Sequence, residues 1–166
     1  MDPKKTFIEY FGSTYQMDRC GVLKEYKSFN VSKETEFRWA REAFDSSVAA
    51  LEKSDDITYD FVCAKEFALR LKDPELIKIL YAKFNSFAVK GDYQKVMQSL
   101  GAVTDMLDMA GRRNVLERGE LTVMAAGTLV MLESFRLANP AREFFEENGG
   151  MSLLNNCIAN LKNIGV

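Results

Sequence analysis

Histidine is absent from this chain of 166 residues. It is the side chain that most often transfers protons near neutral pH and most often binds transition metals. Its absence excludes Ser-His and Cys-His nucleophile pairs, histidine-based metal helices and the zinc deaminase signature. Any catalysis would therefore depend on carboxylate, lysine, tyrosine or cysteine side chains, and we expect no enzyme, metal or cofactor.

Cysteines and long apolar runs are also scarce. The three cysteines, Cys20, Cys63 and Cys157, are far apart and never have a C-x-x-C spacing, so neither a zinc site nor a disulfide framework is expected. The longest nearly apolar run, 121–132, is too short to span a bilayer, and no apolar signal-peptide core follows Met1. The sequence predicts a cytoplasmic protein that does not enter a membrane.

The charges are balanced, with 22 basic and 24 acidic residues and a net charge of −2. No large positive field is available to attract phosphates, so nucleic acid is not an expected partner. Residues 1–83 carry 14 basic and 15 acidic side chains, whereas residues 84–166 carry 8 and 9. The second half therefore either forms most of the core or leaves an apolar face for a partner.

Helix start signals recur along the chain, while no β-hairpin signal appears. Asp2-Pro3, Ser32, Asp73-Pro74, Asp92 and Asn139-Pro140 each precede apolar residues spaced three and four apart. This pattern predicts an all-α fold of about seven or eight helices with antiparallel neighbours, as a bundle or a stacked helical-repeat layer. The helix that begins near Glu120 is apolar on nearly all sides, so we expect it to be the central core helix.

Two regions are predicted. Residues 1–31 form a short N-terminal helix and an aromatic arm, and residues 32–166 form a single all-helical domain. The arm, 13–31, lacks helical periodicity and carries Tyr15 and Tyr26. A long irregular segment inside a compact domain is often functional, although aromatic residues can also hold a structural flap onto the bundle.

Residues 124–161 resemble part of an armadillo repeat, a three-helix unit of roughly 40 residues. The resemblance is carried by Ala125-Ala126 and Leu129, by Asn139, Arg142 and Phe145, and by Gly149-Gly150-Met151. It implies an armadillo/HEAT-like protein-binding surface and no reaction. Gly127 and Met131 occupy the positions of the Trp and Asn of peptide-gripping repeats, which departs from that mode of binding. The opening of the chain resembles uncharacterised bacterial helical proteins.

Arginine and tyrosine are enriched at interface hot spots. The candidate partner-binding residues are therefore Arg112, Arg113 and Arg118, with Tyr15 and Tyr26 of the arm. The favoured function is a non-catalytic, regulatory or immunity-type module of the bacterial cytosol that binds another protein. One alternative is an enzyme or small-ligand binder with a carboxylate, Tyr or Lys pocket between helices. Another is a structural subunit that self-associates, as a homo-oligomer, through the apolar C-terminal half.

Overall fold

The computed structural model describes residues 2–12 and 31–164, and in these ranges the chain forms eight helices and no strand. The all-α prediction is confirmed. The helices are α1 (Pro3–Phe11), α2 (Lys33–Lys53), α3 (Thr58–Leu71), α4 (Pro74–Val89), α5 (Tyr93–Arg112), α6 (Arg118–Leu137), α7 (Ala141–Glu147) and α8 (Met151–Ile164). The predicted aromatic arm, with Tyr15 and Tyr26, lies outside the described residues.

Helix starts follow the predicted capping residues. The side chains of Asp2, Ser32, Asp73 and Asp92 accept hydrogen bonds from backbone N–H groups in the first turns of α1, α2, α4 and α5, at 2.9 to 3.2 Å. Each bond satisfies a donor that has no partner inside the helix. Gly91 turns the chain with φ +72°, a conformation that costs glycine little.

The helices form two layers, and the short α1 packs against α2 and α3. One layer contains α3, α5 and α8. The other layer contains α2, which packs on α3; α4, which packs on α5; and α6, which packs on α8. Lys65 meets Asp105 and the N–H of Ile57 meets Gln98, so α3 and α5 run parallel. In the same way, Gly150 approaches Met97 and Gly101 approaches Leu153, so α8 runs parallel to α5.

The central helix is α5, and the prediction that the helix near Glu120 is central is wrong. Helix α5 contacts α3, α4, α6, α7 and α8. Helix α6 lies at the end of its layer, and among the described residues no further helix covers its solvent side. An apolar sequence all round a helix predicts burial, but it does not identify what covers the helix.

Candidate interaction surface and polar cleft

The solvent side of α6 is apolar along its length. Val123, Val130 and Leu137 are 73%, 69% and 73% exposed. A spacing of seven residues is close to two helical turns, so these three side chains lie in one line. Ala126 and Ser134 lie between them and are also exposed. We call these five residues the α6 row, and none of them is charged.

Helix α4 extends this surface sideways. Lys78 Nζ lies 3.2 Å from Glu120 Oε1, and the Tyr81 hydroxyl donates to the carbonyl of Met124 at 3.1 Å. These contacts set α4 parallel to α6, with an offset that places two exposed residues of α4, Ala82 and Val89, about level with positions 124 and 131 of α6. We call the α6 row together with Ala82 and Val89 the outer apolar surface.

An uncharged surface of this kind is unusual on a soluble monomer and is typical of an interaction site. Single exposed apolar residues, such as Phe37 on α2 and Tyr59 on α3, are ordinary. The α6 row differs because Val123, Val130 and Leu137 follow one line along a single helix. Full burial of a valine or leucine side chain stabilises a complex by about 1.5–3 kcal/mol before the costs of association are counted.

Helix α6 also bears on the question of a membrane span. Within residues 2–12 and 31–164, no single helix has both the length and the apolar character required to cross a bilayer. Taken together, α6 and α7 meet those two criteria, but they are bent by 74° where they join.

A second feature lies on the other layer, where α5 and α8 enclose a cleft of about 320 Å³. Most of its lining side chains are polar, although the wall as a whole is about equally polar and apolar. The lining residues are Gly101, Thr104, Asp105, Asp108 and Arg112 of α5, and Leu153, Asn156, Cys157, Asn160 and Asn163 of α8.

A buried lysine holds one wall of the cleft in place. Lys65, only 1% exposed, reaches from α3 to α5, where its Nζ lies 2.7 Å from Asp105 Oδ2. The same ammonium lies 3.5 Å from Oε1 of Glu66, which is 5% exposed. Since a buried ion is costly unless it is paired, this group fixes the position of Asp105. The Asp105 side chain remains 44% exposed, on the cleft.

The other charges in the cleft are paired with each other. Arg112 Nε donates to Asp108 Oδ1 at 3.0 Å, one helical turn away. Burial raises the pKa of the Cys157 thiol, and a hydrogen bond with Thr104 opposes that rise only in part. Cys157 is therefore a thiol rather than a thiolate at neutral pH, which makes it a poor nucleophile.

The cleft therefore offers hydrogen-bonding groups in place of an activated nucleophile. Carboxylate, guanidinium and amide groups converge on it, and such groups can orient a polar ligand or a polar side chain of another protein. In the part of the chain that the structure describes, no three His, Cys, Asp or Glu side chains are grouped so as to hold a metal ion.

The structure separates the three arginines that the sequence grouped together. Arg112 is the last residue of α5 and lines the cleft. Arg113 is half-buried in the turn that follows, and Arg118 is exposed at the first residue of α6. Neither belongs to the described lining of the cleft, so one arginine of the predicted cluster reaches this site.

Sequence reasoning missed the buried lysine and its partners, although a signal was present. Phe61, Lys65 and Leu69 are four residues apart, so Lys65 interrupts an apolar row of α3. A lysine in such a row either extends its charged end to the surface or meets a buried carboxylate. The α6 row had a signal of its own, because the seven-residue spacing of Val123, Val130 and Leu137 places them in one line on a helix.

Comparison with known proteins gives no match to this chain, whether among family models, curated proteins or solved structures.

Proposed function

We propose that this chain is a non-catalytic protein-interaction module whose binding site is the outer apolar surface. The observation that carries the proposal is the uncharged α6 row, in which Val123, Val130 and Leu137 are each at least 69% exposed. Folding alone does not require apolar side chains at these positions, because a polar solvent side would leave the packing on α8 unchanged. A partner that buries the row would explain their presence.

The proposal includes a helical-repeat character of the armadillo/HEAT type. Two features support it: the parallel alignment of α3, α5 and α8, and the short α7 that joins α6 to α8 through Gly149, which has φ +67°. Stacked helices of this kind present extended surfaces to other proteins. A regulatory or immunity-type role in the cytoplasm is part of the same proposal, and the free thiol of Cys157 is compatible with a reducing compartment.

Site-specific photo-crosslinking in cells tests the proposal. A photoreactive residue at position 130 should give a discrete crosslinked product that mass spectrometry identifies as protein. The same residue at position 59 is the matched control, because Tyr59 is 85% exposed but lies on α3, away from the surface. Equal crosslinking at both positions, or none at position 130, would contradict the proposal.

The predicted arginines are tested by a separate variant. If Arg112 and Arg113 contribute to partner binding, the double substitution Arg112→Glu with Arg113→Glu should reduce the crosslinked product at position 130. An unchanged yield would remove these arginines from the binding site and leave the outer apolar surface in place.

A second candidate function is the binding of a small polar ligand in the α5–α8 cleft. The observation in its favour is the convergence of Asp105, Asp108 and Arg112 with three asparagines around about 320 Å³, which lies at the lower end of the volumes of ligand pockets. A set of polar metabolites would be screened by thermal shift against the wild type and the variant Asp108→Asn. A rise in melting temperature for the wild type alone would support this function, and its absence across the set would count against it.

A further inference from the structure

The α6 row has a symmetry that distinguishes among possible partners. Val130 is at its centre, Val123 and Leu137 are seven residues to either side, and Ala126 and Ser134 are four residues to either side. The order of side-chain sizes is therefore the same from either end of the row, with valine or leucine outermost and a small residue on each side of Val130. When two copies of such a helix lie antiparallel, each residue faces a residue of similar size.

We propose that the outer apolar surface is covered by a second copy of this chain, with α6 antiparallel to its counterpart across a two-fold axis at Val130. Val130 then faces Val130, Val123 faces Leu137, and Ala126 faces Ser134. A contact of this kind uses the same patch on both subunits, as two-fold symmetric dimers require. The inference rests on the proposed function, since it names the partner of that same surface.

Charge favours a second copy. No charged side chain occurs in the α6 row, so two copies bring no like charges together along the axis. The small Ala126 and Ser134 face each other in this register, so the two helix axes can approach closely, to about 8–10 Å. Polar residues border the surface, among them the Lys78–Glu120 ion pair, as expected of the rim of an interface.

The size of the surface also fits a dimer. Helix α6 has 20 residues and is therefore about 30 Å long. Helix α4 ends at Val89, about two thirds of the way along α6, so at a typical helix separation the surface covers about 500 Å² per copy. Two copies would bury about 1,000 Å², which is the size of a weak, transient protein interface. We therefore expect a reversible dimer rather than an obligate one.

Sedimentation equilibrium of the full chain tests the inference. The wild type should show a monomer–dimer equilibrium at micromolar concentrations. Val130→Lys places two ammonium groups on the axis and should weaken the dimer by more than about tenfold, because facing like charges are costly. Tyr59→Lys is the matched control and should not change the dissociation constant. Circular dichroism should show the same helix content in all three proteins.

A charge pair tests the antiparallel register. Val123→Lys alone and Leu137→Glu alone should each weaken the dimer, because each places a charge opposite an apolar side chain. The two substitutions together should restore it, since residue 123 of one copy then faces residue 137 of the other with opposite charge. A double variant as weak as the single variants would overturn the proposed register.

The outcomes separate this inference from the proposed function. A wild type that remains monomeric at several hundred micromolar, or a dimer that Val130→Lys leaves intact, overturns the inference. If the wild type is monomeric and position 130 crosslinks to a different protein, the proposed function stands and the second copy is excluded. If the wild type is monomeric and position 130 crosslinks to nothing, both fail.

Discussion

Helices α2 and α6 belong to the same layer and have nearly the same length, 21 and 20 residues, yet they present opposite surfaces to solvent. The exposed positions of α2 include Glu34, Arg38, Arg41, Glu42, Asp45 and Glu52. The exposed row of α6 contains no charge. Both helices bury an apolar side against the layer of α3, α5 and α8. The fold requires that buried side to be apolar, but it places no such requirement on the side that faces solvent. The uncharged solvent side of α6 is therefore not required by the fold, and it is the feature for which the proposed function accounts.

Helices α2 and α6 both pack on the layer of α3, α5 and α8. The largest predicted effect concerns the buried ion group that joins α3 and α5 in that layer. Lys65→Met should destabilise the protein by about 3–5 kcal/mol, because the buried Glu66 carboxylate loses the Lys65 ammonium and Asp105 loses its anchor. The measurement is the free energy of unfolding in urea.

Lys83→Met is the matched control, because Lys83 pairs with Glu52 at 2.6 Å on the surface between α4 and α2. Removal of such an exposed pair should cost no more than about 1 kcal/mol. Equal losses for the two variants would mean that the buried ion group does not join α3 and α5 as described.

The two sides of α6 should differ almost as strongly. Leu132 is fully buried and Val130 is 69% exposed on the same helix. Leu132→Ala should cost about 2–5 kcal/mol through lost burial and the cavity it leaves. Val130→Ala should change the stability by no more than about 0.5 kcal/mol when it is measured below the dissociation constant of any dimer. A large loss for Val130→Ala in dilute protein would show that the solvent side of α6 is packed.

The fold could be predicted from the sequence where the signals are local. The caps at Ser32, Asp73 and Asp92 act on N–H groups within a few residues, so the chain itself contains both partners. The central helix could not be predicted, because the apolar pattern of α6 is the same whether another helix or a partner covers it. The contact between Lys65 and Asp105 joins residues 40 positions apart, and no local pattern specifies that distance. The arginines were predicted as a group from their proximity in sequence, but the turn after Arg112 separates them.

A smaller effect is expected when charged residues like those of α2 are placed on the solvent side of α6. In dilute protein, the double substitution Val123→Glu with Val130→Lys should lower the binding of a hydrophobic dye by about half or more, because it replaces two of the three large apolar side chains of the α6 row with charged ones. Ala49→Lys is the control, since Ala49 is exposed on the charged solvent side of α2. Equal dye binding in both variants and the wild type would mean that the dye, and by extension a partner, binds elsewhere.

The smallest expected effect concerns Glu52 on the charged solvent side of α2. A hydrogen bond from Lys83 lowers the pKa of Glu52 below its usual value of 4.5, with the charge of Lys83 acting in the same direction. A carboxylate whose folded pKa is lowered adds stability above its unfolded pKa, and that stability is lost as the pH falls through the folded pKa. Because Glu52 is exposed and screened by water, the contribution should be below about 1 kcal/mol.

Unfolding free energies of the wild type and Glu52→Gln, measured from pH 7 to pH 3, isolate that contribution. Other carboxylates are protonated in both proteins, so only the difference between the two curves reports on Glu52. The difference should be constant well above pH 4.5 and should shrink as the pH falls below 4.5 through the lowered folded pKa, as Glu52 of the wild type also becomes neutral. A difference as large at pH 3 as at pH 7 would assign the effect to packing rather than charge. The five residues of the α6 row carry no ionisable side chain, so no change in the charge of the row itself can contribute to either curve.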